Sequence, residues 1–181
     1  MFIDYIFQDL GRYKKSNQST YKIILFHPPC RFMITLRACQ YYSKFNPLGI
    51  FFRIWNKRMK VKYGFQFAPT CKIGEGLYMA HYGNIVINSK VVVGKNCTIS
   101  QGVTIGNTKR GKNIGNPIIG DRVWIGTNSV IVGGITIGND VLIAPLSFVT
   151  FDVPDKAVIA GNPATIINYK GSEGYIENAI E

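Results

Sequence analysis

Histidine is scarce in this sequence: His27 and His81 are the only two in 181 residues. The four cysteines, Cys30, Cys39, Cys71 and Cys97, form no C-x-x-C pair and cluster with no histidine. That spacing argues against a zinc site or a disulfide scaffold and leads to an expectation of no bound metal and of reduced, buried thiols. No run of about 18 apolar residues exists to span a membrane. The N-terminal stretch MFIDYIFQDLGRYKK places its acids first and lacks the apolar centre of a signal peptide, so a cytoplasmic location is expected. Acids are few as well, 10 against 21 lysines and arginines, and the imbalance is local. Residues 1–65 carry twelve Lys/Arg and two acids, a net +10, whereas residues 66–181 carry nine and eight, a net +1. The first 65 residues also hold 15 of the 23 aromatics. Three parts are expected: a basic, aromatic, helical region over 1–65, a repeat domain over 66–168, and a tail over 169–181.

What the sequence has in abundance is a rhythm. An aliphatic residue followed by a small one recurs at Ile73-Gly74, Met79-Ala80, Val93-Gly94, Ile99-Ser100, Ile105-Gly106, Ile119-Gly120, Ile125-Gly126, Ile137-Gly138, Ile143-Ala144 and Val149-Thr150, with Ile87 and Ile131 in phase. The spacing is six from Ile87 to Ile105 and again from Ile119 to Val149. Period two suits an ordinary strand and 3.6 a helix; six suits a short strand plus a tight corner. Three hexads close one triangular turn of a parallel β-helix, and stacked turns bury an aliphatic column. Small residues follow the inward aliphatics because a large side chain would crowd the next coil. Two interruptions break the beat. Met79 to Ile87 is two residues too long, and it contains His81. Ile105 to Ile119 is eight too long, and its excess, within GNTKRGKNIGNP, is expected to leave the coil as a flexible basic arm carrying Lys109, Arg110 and Lys112.

The segments HYGNIVIN, VVVGKNCTISQGVTIGN, IIGDRVWIGTNSVIVGGITIGNDVLIA and DVPDKAVIAGNPATII, within residues 66–168, resemble the hexapeptide-repeat acyltransferases, in the serine acetyltransferase and polysaccharide O-acetyltransferase branch. The resemblance implies a mainly β fold built on a left-handed parallel β-helix. It also implies a homotrimer with sites between subunits, and acetyl-CoA as co-substrate. By the same resemblance His81 is the general base: imidazole, with an ordinary pKa of about 6.5, can take a proton from an acceptor hydroxyl and return it to the leaving thiolate. Attack on the thioester is direct, and backbone donors near the coil corners stabilise the oxyanion. Donor contacts carried over residue by residue fall on Gly106, Asn107, Thr127, Ala144, Pro145 and Thr150. Lys109 and Arg110 are candidate partners for the CoA phosphates. His27, in FHPPC, is read as structural or surface.

Where serine acetyltransferases have Asp directly before the histidine, this chain has Ala80. It has Gln66 for the Asp of the D-x-H-P segment, Asn116 for a second histidine, and Phe151 for a lysine. The first three departures remove charged or titratable groups that would orient the base or hold a zwitterion, which leaves Glu75 or a backbone carbonyl to orient His81. They favour a sugar hydroxyl of a surface polysaccharide or its precursor over serine as acceptor. Serine acetylation and a non-catalytic, membrane-docked scaffold stand as alternatives. A carbonic-anhydrase-like metal site, also known on this fold, fails on the histidine count.

NPLGIFFRIWNKRMKVKYGF, residues 46–65, reads as an amphipathic helix capped by Asn46 with Pro47 in its first turn. Leu48, Phe51, Phe52, Trp55 and Met59 recur at helical spacing, with Arg53, Lys57 and Lys60 on another face. The stripe packs on the β-helix or a neighbouring subunit, or it lies in the headgroups of an anionic membrane, on the inner face of the cytoplasmic membrane. A second helix is expected after Pro28-Pro29. Nucleic acid is not expected, since no binding motif accompanies the charge.

Overall fold

The computed structural model describes residues 2–14 and 19–180; Met1, Lys15–Gln18 and Glu181, at the ends and inside the expected N-terminal region and tail, lie outside the described residues. Four helices come first: α1 (Phe2–Gly11), α2 (Thr20–Phe26), α3 (Pro28–Tyr41) and α4 (Pro47–Tyr63). From Phe65 onward, strands of two to five residues follow one another around three sheets. One side of the prism stacks Phe65–Phe67, Ile85–Ile87, Thr104–Gly106, Val130–Val132 and Phe148–Val149. The second stacks Lys72–Ile73, Val92–Val93, Ile118–Ile119 and Thr136–Ile137. The third stacks Tyr78–Met79, Thr98–Ile99, Trp124–Ile125, Leu142–Ile143 and Val158–Gly161, and Ala164–Asn168 closes it as an antiparallel edge. All other strand pairs are parallel.

The period-six aliphatics form the core. Met79, Ile99, Ile105, Ile125, Ile131, Ile137, Ile143 and Val149 are all completely buried. Two residues upstream of each runs a second inward series, with Cys97, Val103, Val123, Ile135 and Val141. Polar members of that series, Ser129 and Ser147, both donate to the Ala144 carbonyl, at 2.9 and 2.6 Å, so no buried hydroxyl is left unmade. The corner glycines are small for a steric reason: a Cβ on Gly120 would lie 2.7 Å from the Gly138 carbonyl oxygen of the next coil.

The helices seal the first coil. Phe32 of α3 packs on Phe65 and Phe67 at ring-centroid distances of 4.7 and 4.8 Å, continuing the aliphatic column with aromatics. Asn46 caps α4 by accepting from the Leu48 N–H at 2.9 Å, and Gly64 ends it in the left-handed conformation at φ +76°. The Asn162–Pro163 peptide bond is cis.

Candidate active site

The third side of the prism aligns Met79, Ile99, Ile125 and Ile143 in successive coils. Two residues further on in the same phase stand His81, Gln101, Thr127 and Pro145, which therefore share one corner of the prism. The Asn128 N–H donates to the Gln101 carbonyl at 3.1 Å and the Leu146 N–H to the Thr127 carbonyl at 2.9 Å, holding these corners in stack. The hexad rhythm gives that alignment once the two excess segments leave the coil.

The two-residue excess before Ile87 is a detour around the end of α4. The Gly83 N–H donates to the Tyr63 carbonyl and the Ile85 N–H to the Gly64 carbonyl, both at 3.1 Å, and Tyr82 meets Tyr63 edge-on at 5.6 Å. The chain bends around α4 and carries His81 outward, where its side chain is exposed. Among the described residues no side chain hydrogen-bonds the imidazole. Glu75 does not orient it: that carboxylate pairs with Lys95 at 2.6 Å, on the corner before the third side rather than after it, and the ammonium holds its pKa below the ordinary value.

His81, Ala80, Gln101 and Thr127 line a groove of about 420 Å³. The Gln101 side-chain oxygen is buried and has no donor among the described residues. Beside Tyr78, Thr98, Ser100 and Trp124 of the third side, Arg12, Gly174, Tyr175 and Glu177 supply part of the wall, a contribution that no repeat or motif signals. Arg12, just past α1, is almost fully buried and donates to the carbonyls of Glu177 and Gly76, both at 2.8 Å, and to the Thr98 hydroxyl at 3.0 Å. Residues 172–180 run back along the third side. Ser172 donates through its N–H to Asp140 O and through its hydroxyl to Arg122 O, Tyr175 packs on Trp124 at 5.0 Å, and Ile180 exchanges two hydrogen bonds with the Asn96 side chain. Gly174, Tyr175 and Glu177 thereby rim the groove.

The other sequence-predicted donor residues divide between two corners. Ala144 and Pro145 continue the His81 corner. Gly106, Asn107 and Thr150 follow the first side of the prism, where Gly106 pairs with Val132 and Ile131 with Val149. Lys109 and Arg110 leave from that same corner, and both are exposed. The arm that carries them is a closed hairpin rather than a free loop. Thr108 and Gly115 exchange backbone bonds at 3.1 Å, the Asn113 side chain donates to Thr150 O at 2.8 Å, and the Gly134 N–H donates to Asn113 O at 2.9 Å. Asn116 sits at the base of this hairpin with its side-chain oxygen buried and unpaired among the described residues. His27 caps no helix with its side chain; its ring lies 6.1 Å from that of Tyr13, and it does not line the groove. Among the described residues no group of three or more His, Cys, Asp or Glu is placed to hold a metal.

Three parallel sides with a hexapeptide repeat define a β-helix, and comparison with known proteins gives its hand and its relatives. Residues 116–150 match the family model described as bacterial transferase hexapeptide (six repeats). The chain is 31% identical to serine acetyltransferase 2 of Arabidopsis thaliana over 110 residues, which is 61% of this chain and 34% of that protein. It is 38% identical to a serine acetyltransferase of Staphylococcus epidermidis over 108 residues, 60% of this chain and 51% of that one. A serine acetyltransferase of Synechococcus elongatus matches over 83% of this chain and 61% of its own length, at 27% identity. The chain thus spans between about a third and three-fifths of these relatives. Among solved structures, serine acetyltransferase from Brucella abortus in complex with coenzyme A superposes with a TM-score of 0.80 at 26% identity, covering 94% of this chain and 69% of that one. The soybean apoenzyme shares the fold, with a TM-score of 0.78 at 24% identity, covering 92% and 69%. The protein is a hexapeptide-repeat protein with the left-handed β-helix fold. In sequence and in fold it is similar to serine acetyltransferases.

Proposed function

We propose that the protein transfers an acetyl group from acetyl-CoA to a hydroxyl, with His81 as the general base. The observation that carries this reading is the shared corner: His81 and Thr127 flank one groove on a fold whose Brucella relative is solved with coenzyme A. The acceptor oxygen attacks the thioester carbonyl as its proton passes to His81. The carbon–sulfur bond then breaks, and the proton passes from the imidazolium to the thiolate of CoA. Donor residues on two corners of one chain meet at one site when three β-helices pack side by side, the hairpin of one subunit reaching the His81 corner of the next. A homotrimer is therefore part of the proposal.

The names of the relatives favour serine as the acceptor over the polysaccharide hydroxyl expected from the sequence. The loss of titratable groups at Gln66, Ala80 and Asn116 argues against a zwitterion, and of the two charged residues on the groove wall only Glu177 is exposed, Arg12 being buried and committed to the Glu177 and Gly76 carbonyls and the Thr98 hydroxyl. A sugar hydroxyl is the second reading, favoured by the same three departures, which leave no carboxylate beside His81. The test is transfer from labelled acetyl-CoA with L-serine or with a glycan extract as acceptor. Label in O-acetylserine supports the first reading, label in the glycan alone supports the second, and failure to bind acetyl-CoA contradicts both.

A further inference from the structure

Helix α4 is amphipathic in the reverse of the usual sense. Its buried positions are Gly49, Asn56 and Met59. Asn56 donates to the Thr35 hydroxyl of α3 at 2.9 Å, and a Cβ at Gly49 would collide with the Ser43 carbonyl. Gly49, Asn56 and Met59 thus seat α4 against α3, the turn that follows it and the hydrophobic core. The aromatic stripe expected from the sequence divides: Met59 turns inward, Phe52 is half-buried and stacks on Tyr42, and Leu48, Phe51 and Trp55 face out at 53, 56 and 36% exposure. Ile50, Ile54 and Val61 are exposed with them, and Phe45, just before the helix, is 81% exposed.

Cations interleave with that apolar face. At 100° per residue, Arg58 falls between Ile54 and Phe51, Lys62 between Phe51 and Trp55, and Lys57 borders Ile50; all three are exposed. No acid relieves them. From Asp9 to Glu75 the sequence contains no acidic residue and 13 lysines and arginines. A second copy of this face would set cation against cation, so self-pairing is opposed by charge. A surface that accepts apolar side chains to a shallow depth and bears negative charge satisfies both features, and that is an anionic bilayer. Among the described residues no helix is long and apolar enough to cross a membrane, so the contact is peripheral.

We infer that the outward face of α4 docks the protein on an anionic lipid surface, Phe51, Ile54, Trp55 and Val61 entering the headgroup region while Lys57, Arg58 and Lys62 meet the lipid charge. This inference is independent of the acceptor. It places the His81 groove near a membrane, the location a lipid-linked or membrane-delivered acceptor would require.

The experiment uses the full chain in co-flotation with vesicles of phosphatidylcholine alone or with 30% phosphatidylglycerol. Binding to the anionic vesicles only, weakened by salt, is expected. Each of Lys57→Ser, Arg58→Ser and Lys62→Ser should reduce partitioning roughly fivefold. Phe51→Ser with Ile54→Ser should abolish it, with the circular dichroism spectrum and thermal midpoint unchanged because both side chains are exposed. In a Trp124→Phe background, Trp55 fluorescence should shift to the blue on binding. No flotation, equal binding to neutral vesicles, or concentration-dependent self-association that Phe51→Ser removes would each overturn the inference.

Discussion

Asp9 and Arg37 form a 2.9 Å ion pair whose side chains are only 3 and 4% exposed. Arg37 also donates to the carbonyls of Ile73 and Gly74, both at 2.7 Å, and Asp9 accepts from the N–H groups of Gly76 and Leu77. One pair therefore joins α1 and α3 to the first coil of the β-helix, next to the strand that leads to His81. Removing one partner leaves the other charge buried and unpaired, whereas replacing both with apolar groups does not. Asp9→Ala should lose about 3–5 kcal/mol in urea unfolding. The double replacement Asp9→Leu with Arg37→Met should lose much less, and a double loss equal to the sum of the singles would argue against the pairing.

The corner glycines predict a second stability effect. Gly120→Ala forces a methyl to within 2.7 Å of the next coil's backbone, where no flexible side chain can give way. A loss of about 1–3 kcal/mol is expected, the range for overpacking a filled interior. Gly111→Ala, at a position with nothing within 4 Å of the added methyl, tests the backbone instead: at φ +90° the substitution should cost about 1 kcal/mol without a packing term.

All four thiols are buried, and burial raises the pKa of each, that of Cys97 to about 12. A thiolate is the reactive species, so these groups are protonated and shielded at neutral pH. A colorimetric thiol titration of the native protein at pH 8 should find none reactive within minutes and four after denaturation. Rapid modification of a native thiol would contradict the packing described for the coil interior.

Arg122 and Asp140 stack in successive coils and pair through two bonds, at 2.6 and 2.8 Å. The guanidinium holds the Asp140 carboxyl below its ordinary value. A carboxylate with a lowered folded-state pKa adds stability that is complete above the unfolded value near 3.9 and is lost as pH falls toward the folded one. Asp140→Asn should therefore leave the stability profile unchanged in shape between pH 5 and 7 and flatten it below about pH 4. The pair is partly exposed, so the whole effect should be under about 1 kcal/mol.

The β-helix was legible because its signal repeats: Ile99, Ile125 and Ile143 each announce the same inward position, and one misread residue does not shift the phase. That His81 stands outside the regular phase was legible in the spacing; its proposed role comes from the family resemblance. The groove around it was not, because Arg12, Tyr175 and Glu177 reach it from segments without periodicity, through contacts more than 40 residues distant in sequence. Glu75 was a reasonable candidate partner for His81 by sequence distance, but one corner of the prism separates them. The hairpin over residues 108–115 looked free because glycines and lysines dominate it; its anchors, Asn113 to Thr150 and Gly134, are single hydrogen bonds that composition does not reveal. Helix α4 was predicted correctly as a helix with its cap, yet its packing face is set by Gly49 against the Ser43 turn, Asn56 on α3 and Met59 in the core, which leaves Phe51 and Trp55 outside.

The central claim is that His81 moves the acceptor's proton. The most direct test is His81→Ala, measured as CoA thiol release from acetyl-CoA in the presence of the acceptor identified by labelling, alongside acetyl-CoA binding by calorimetry. The side chain is exposed and, among the described residues, has no hydrogen-bond partner, so the variant should fold as the parent does. A fall in kcat of about 10²–10⁴-fold is expected, with acetyl-CoA affinity unchanged. A His81→Ala variant that turns over at the parent rate would contradict it.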